Sequence, residues 1–148
     1  MEIRLATAAD ADALVEFNQA MALETEGKHL DPIVLASGVR AVFADTNKGF
    51  YVVADDAGKI AGGLMVTFEW SDWRNSWFWW IQSVYILPEF RGHGLYRRLY
   101  DFVKARADQS REVCGFRLYV ETENTSAQLV YERVGMRRSH YLMYEENL

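Results

Sequence analysis

The chain has 148 residues, half of them apolar and 14% aromatic, with a formal charge of −5. That is one domain with a self-sufficient core; the composition excludes disorder, and an acidic balance without a basic block argues against nucleic acid as a partner. The single cysteine, Cys114, excludes an internal disulfide and fits a reducing cytoplasm, the N-terminus carries no apolar leader, and no run approaches the roughly 18 apolar residues of a membrane span.

Ile3 and Leu5 alternate with charged neighbours and predict a short first strand. Thr7 and Asp10 read as a helix start, and the helix turns Leu14, Val15, Phe17, Met21 and Ala22 inward before stopping near Gly27. Asp31-Pro32 pairs an N-cap with proline at the first helical position; this second helix runs through Ile33, Leu35, Val39, Val42 and Phe43 to about Ala44. Residues 50–54 and 59–68 form a hairpin about the turn Asp55-Asp56-Ala57-Gly58, and 70–75 form the next connection. An apolar strand over 79–87 stops at Pro88, followed by the turn Arg91-Gly92-His93-Gly94 and a helix to about Gln109. That helix places Leu95, Leu99, Phe102 and Val103 on one face. A strand over 115–121, a short helix capped by Asn124 or Thr125 and carrying Ala127, Leu129, Val130 and Val134, a stop at Gly135 and a last strand over 141–145 complete a mixed α/β chain. The order is β-α-α-β-β-β-α-β-α-β, with no linker or internal repeat.

The strand-Gly-x-Gly-helix junction is the most informative feature. Two glycines allow a ligand to approach the backbone, and the free N–H groups and positive dipole of a helix start, with Arg91, suit a diphosphate. The same spacing is also that of a plain tight turn. It is no Walker loop, because no Gly-Lys-Ser/Thr follows, and no dinucleotide fingerprint, because Arg97 replaces the third glycine.

The run Val84-Tyr85-Ile86-Leu87-Pro88-Glu89-Phe90-Arg91-Gly92-His93-Gly94 resembles the acetyl-CoA signature of GNAT-type N-acetyltransferases. At the expected distance, Asn124-x-x-Ala127-x-x-x-Tyr131-x-x-x-Gly135-Met136 resembles the family's second motif. The resemblance covers nearly the whole chain and implies the GNAT fold, whose central strand and the strand after it splay apart to admit acetyl-CoA. It implies that Val84, Tyr85 and Ile86 bind the pantetheine arm through their main chain. Arg91, Gly92, His93, Gly94, Leu95, Tyr96 and Arg97 would hold the diphosphate, and Asn124 would cap its helix and touch the cofactor. Tyr96 stands where the family's last small residue belongs, so its side chain must point away from the diphosphate. Only about ten residues follow Met136, so the family's seventh strand is expected to be missing or reduced.

Tyr131 aligns with the family's general acid, a phenol that protonates the leaving thiolate; a core tyrosine is the competing reading. Many relatives carry a glutamate where this chain has Gln82, which can only orient a water or the substrate. The base is therefore sought among Glu69, Glu24, Glu26 and Asp72, with Glu69 first. Trp70, Trp73, Trp77, Trp79 and Trp80 crowd one hairpin beside these carboxylates. Together, Glu24, Glu26, Glu69, Trp70, Asp72, Trp80 and Gln82 point to a small cationic amine such as a diamine or polyamine. The same aromatics also suit a homodimer surface. His29, His93 and His140 are too scattered for a metal site, and Cys114 reads as packed. The expected activity is acetyl transfer from acetyl-CoA to a primary amine by direct attack. The alternatives are a non-catalytic acyl-CoA sensor and a peptide or protein N-acetyltransferase.

Overall fold

In a computed structural model describing residues 1–148, the chain folds as β1(Glu2–Leu5), α1(Ala11–Glu26), α2(Pro32–Ala44), β2(Phe50–Asp56), β3(Lys59–Ser71), β4(Ser76–Ile86), α3(Leu95–Ser110), β5(Val113–Arg117) and α4(Thr125–Arg133). The helix boundaries follow local chemistry. Asp31 Oδ1 accepts from the amides of Ile33 and Val34 at 2.9 and 3.2 Å, with Pro32 at the first position of α2. Gly27, left-handed at φ +62, ends α1. The β2–β3 turn places Ala57 and Gly58 at φ +52 and +92, the twist a two-residue hairpin requires, and Asp55 Oδ1 accepts from Gly58 N at 2.7 Å.

The strands form one sheet in the order β1-β2-β3-β4-β5, antiparallel except for the parallel pair β4–β5. Its pleat sorts alternate residues onto two cores. Val52, Leu64, Val66 and Ile81 meet Leu99 and Val103 of α3, while Val53, Tyr51 and Tyr85 meet Leu14, Phe17, Val39 and Val42 of α1 and α2. Leu99 and Val103 are fully buried, each contributing about 1.5–3 kcal/mol, so α3 is pinned to the sheet below its first turn.

Three expectations are corrected. Residues 141–145 form no strand, the outer edge of β5 staying unpaired, and the strand expected over 115–121 ends at Arg117. Cys114 lies on β5 and is exposed, its thiol donating to Trp77 O at 3.4 Å.

Arg4 joins the first strand to the first helix, bonding Asp10 at 2.8 and 3.0 Å and Asp55 at 3.0 Å. The Arg4 bond, outweighing the cost of burial, holds the Asp10 carboxyl below its ordinary value of 3.8. A lowered folded value contributes stability above the ordinary value, and this is lost as pH falls through the lower one. Asp10→Ala is expected to cost about 2–3 kcal/mol at neutral pH, and less on acidification into that window; urea melts at both pH values measure this.

Candidate active site

The centre of the molecule is a break in the sheet. β5 pairs with β4 only from Trp77 to Trp80, so the stretch of β4 from Ile81 to Ile86 has no strand on that side. On the other side, the β3–β4 register shifts between Gly63 and Met65, and Ser83 takes φ +52. A non-glycine residue there marks a bulge, which re-aims the backbone that follows it, Val84, Tyr85 and Ile86. Their main chain therefore borders the open side of the sheet.

Beyond Pro88, Gly92 and Gly94 stand at φ +79 and +74, with nothing within 4 Å of where a Cβ would lie. Backbone conformation, not crowding, demands glycine here. The consequence is a run of unclaimed donors. No protein group accepts from the amides of Gly92, His93, Gly94, Leu95, Tyr96 or Arg97; the first bond of the helix is Arg98 N to Gly94 O at 3.3 Å. Stacked at a helix N-terminus, these amides form a seat for an anion carrying several oxygens.

The side chains around this seat are engaged elsewhere. Arg91 donates to Ile86 O at 2.8 Å and to Glu24 Oε2 at 2.9 Å, with its guanidinium 5.3 Å from the Tyr85 ring centroid. Tyr85 Oη also donates to Glu24, at 2.9 Å. Burial raises the Glu24 carboxyl, but the bonds from Tyr85 and Arg91 outweigh it and leave the group below its usual range. Arg97 donates to Arg133 O at 2.7 Å, tying α3 to the end of α4. His93 is exposed, and Leu95 and Tyr96 are buried, each 5% exposed.

Tyr96 points away from the turn and into the core. Its ring lies 5.3 Å from Tyr131, edge-on, and 6.0 Å from Tyr100, stacked, and its buried hydroxyl has no partner. Tyr131 is thus one ring contact from the first turn of α3. Asn124 Oδ1 caps α4 by accepting from Ala127 N at 3.2 Å, which orients the helix that carries Tyr131. The Tyr131 hydroxyl makes no hydrogen bond to the protein and is not fully buried. Partial burial of the phenol raises its pKa above 10.0, so it remains a proton donor at neutral pH.

The face toward α1 and α2 carries a polar wall. Glu69 lies opposite Phe78, Thr67 opposite Trp80 and Met65 opposite Gln82, all on this face. Gln82 Nε2 donates to Thr67 Oγ1 at 2.6 Å, and Trp80 Nε1 to Glu69 Oε1 at 2.8 Å. Arg117 grips both Glu69 oxygens at 2.9 and 3.2 Å and lies 3.6 Å over the Phe78 ring. Tyr119 closes on Trp80 at 6.4 Å between centroids.

The expected acceptor group is therefore divided. Trp70, opposite Trp77, points to the α3 face with Phe68 and Trp79, across the sheet from Glu69. Asp72 caps the hairpin tip, where its Oδ1 accepts from Trp73 N; Gln82 lies six residues past Ser76, roughly 20 Å along β4. Glu26 pairs loosely with Lys28 at 3.9 Å, exposed at the end of α1. Sequence reading missed Arg117 and Ser83. The alternation of Phe116, Arg117 and Leu118 marked Arg117 as outward, a position ordinarily solvated, and no local signal announces a bulge at Ser83. A broad apolar cavity lined by Phe43, Phe50, Tyr51, Trp79 and Arg106 lies at the far end of α3, about 24 Å along its 16 residues, away from this chemistry. No group of three His, Cys, Asp or Glu side chains is placed to hold a metal, and no helix is long and apolar enough to cross a membrane.

The model of the acetyltransferase (GNAT) family matches residues 12–136. Among solved structures, a possible acetyltransferase from Clostridium difficile 630 is 44% identical, with a TM-score of 0.92 over 99% of this chain and 97% of that one. Two others are similar in fold alone. A transcriptional regulator from Bacillus halodurans C-125 is 24% identical, with a TM-score of 0.84 over 99% of each chain. A predicted acetyltransferase from Clostridium acetobutylicum, solved with acetyl-CoA, is 18% identical, with a TM-score of 0.80 over 98% of this chain and 95% of that one. No curated protein sequence matches this chain.

Proposed function

The chain belongs to the acetyltransferase (GNAT) family, and on that premise we propose that it moves an acetyl group from acetyl-CoA to a small primary amine by direct transfer in a ternary complex. The observation that carries this is the run of free amides from Gly92 to Arg97, lying beside the strandless half of β4 and one aromatic contact from Tyr131. The residues fit the cofactor. The turn supplies donors for a diphosphate, and two positions without Cβ atoms leave room for it. The bulged main chain of Val84, Tyr85 and Ile86 flanks the gap where an extended arm would lie.

Acetyl-CoA, when bound, supplies the activated acyl group as a thioester. The amine nitrogen forms a bond to the acyl carbon as the carbon–sulfur bond breaks, so one proton must leave nitrogen and one must reach sulfur. The Tyr131 hydroxyl, held in its protonated form by burial, donates the second. Glu69 receives the first, while Gln82, anchored to Thr67, orients the amine. Arg117 holds the Glu69 carboxylate in place, and the Trp80 and Tyr119 rings provide a surface for a cationic methylene chain. On this reading Glu24, expected among the acceptor-side carboxylates, takes a bracing role. By bonding Arg91 and Tyr85 it braces the turn against β4, leaving Glu69 as the acceptor-side carboxylate. Cytoplasmic residence is part of the same reading, since a free exposed thiol and an acetyl-CoA supply both suit that compartment.

The test is a panel of diamines, polyamines, simple primary amines and peptides, read by thiol release. Turnover on a small amine is expected; coenzyme A binding without turnover on any of them would leave a sensor instead. For the accepted amine, Glu69→Gln is expected to lower kcat about 100-fold with coenzyme A affinity unchanged. A rise in KM alone would reduce Glu69 to a binding residue.

A further inference from the structure

The broad cavity at the far end of α3 takes no part in acetyl transfer. It opens between the end of α2, the start of β2 and the last turns of α3, and its volume of about 650 Å³ lies within the roughly 300–1,000 Å³ of small-molecule sites. Three rings build its apolar wall. Phe50 meets Trp79 edge-on at 5.3 Å and Phe68 at 6.1 Å, and Phe68 meets Trp79 at 5.9 Å. Rings tilted in this way offer faces and edges to a further ring. The charge here is unlike that of the chain as a whole. Acidic residues outnumber Lys and Arg by 21 to 16, yet no carboxylate lines the cavity and its one charged group is Arg106. Lys104 on the same helix pairs with Asp101 at 3.1 Å, whereas Arg106 has no carboxylate partner and no hydrogen bond; its guanidinium lies 5.4 Å from the Phe50 ring centroid. In the α2–β2 loop, Asp45 is taken by Lys48 at 3.3 Å and by Asn47 N at 3.0 Å. The amides of Thr46 and Gly49, two residues of that loop that line the cavity, find no acceptor in the protein.

We propose that this cavity binds a small aromatic carboxylate, with the ring against Phe50, Phe68 and Trp79 and the carboxylate on Arg106. The two halves are selected separately. A guanidinium presents a fork of donors that matches the two oxygens of a carboxylate, and the unclaimed amides of Thr46 and Gly49 add to it. An amine would meet Arg106 with no acid to offset the repulsion, and a bare hydrocarbon would leave these donors unanswered. The carbonyl end of α3 weighs against an anion, but only as a partial charge, and Ala107 O is already taken by Arg111 N at 3.2 Å. The full charge of Arg106 therefore sets the sign. The site is separate from the free amides at the start of α3, since about 18 Å of helix lies between Gly94 and Arg106.

Titration calorimetry of the full chain with phenylacetate as the probe is expected to show one site per chain, with a Kd of about 1 mM or tighter. Arg106→Gln, which keeps much of the side chain and removes the charge, should weaken that binding about 10-fold or more. Its melting temperature should not move, because Arg106 is exposed and touches only the Phe50 ring. Phenylacetamide, the same ring without the charge, should bind about 10-fold more weakly than phenylacetate. Acetate, the charge without the ring, and benzylamine, the ring with the opposite charge, should give no measurable heat. Saturating coenzyme A should leave the phenylacetate titration unchanged. No binding at about 10 mM phenylacetate, or an affinity indifferent to Arg106→Gln, would overturn the proposal. Displacement by coenzyme A would overturn it too, by placing the probe in the gap beside β4. None of these readouts depends on acetyl transfer.

Discussion

Gly94→Val is expected to weaken coenzyme A binding about 100-fold while the protein stays folded. Gly94 sits at φ +74 immediately before α3, where a β-branched L residue is strained by roughly 1–2 kcal/mol. No atom lies within 4 Å of the new Cβ, so the strain is not relieved by pushing the core apart. The turn instead relaxes toward negative φ, and the amides of Gly94, Leu95 and Tyr96 no longer converge. Two charge-assisted bonds lost at about 1.5 kcal/mol each give the stated factor. α3 itself remains, because Leu99 and Val103 hold it from below. Gly38→Ala in α2, with equally open space around it, is the control and should bind normally. Calorimetry measures both; an unchanged Kd for Gly94→Val would remove the turn from cofactor binding and the proposed function with it.

Tyr131→Phe should lower kcat by about 100-fold and leave coenzyme A affinity within a factor of two or so, because the ring and its packing on Tyr96 survive and only the proton donor goes. The pH dependence sharpens the test. Burial places the phenol above 10.0, so the acid form persists through the neutral and mildly alkaline range. A loss of rate from its ionisation belongs above pH 10, and that limb should be missing in the variant. Equal turnover in the two proteins would return Tyr131 to the core. A raised KM for acetyl-CoA with normal kcat would make it a binding residue instead of the acid.

Residues that act on their near neighbours were legible in the sequence. Asp31-Pro32 starts α2, Gly27 ends α1, and Asn124 caps α4, each through bonds spanning at most a few positions. The two-glycine turn was legible for the same reason, and Tyr96 turning inward followed from the family resemblance. The acceptor side was not. Crowding of tryptophans along one hairpin gave no account of the pleat, which sends Trp70, Trp77 and Trp79 to one face and Trp80 to the other. Nor does a run of carboxylates disclose its partners. Glu24 meets Arg91 across 67 positions, and Glu69 meets Arg117 across 48. The strand expected over 141–145 makes no ladder, because pairing depends on where the rest of the sheet lies and not on the segment's own composition.

Local sequence carried the helix limits, the turn that leaves its amides unclaimed, and the family to which the chain is similar, because caps and glycine conformations are settled within one turn of backbone. Long-range folding set which partners the carboxylates meet, Arg91 and Tyr85 for Glu24, Arg117 and Trp80 for Glu69. It also decided where β4 loses its neighbour and that the tail lies unpaired. Those depend on which strands meet and in what register, and a one-residue change of register moves every side chain to the opposite face.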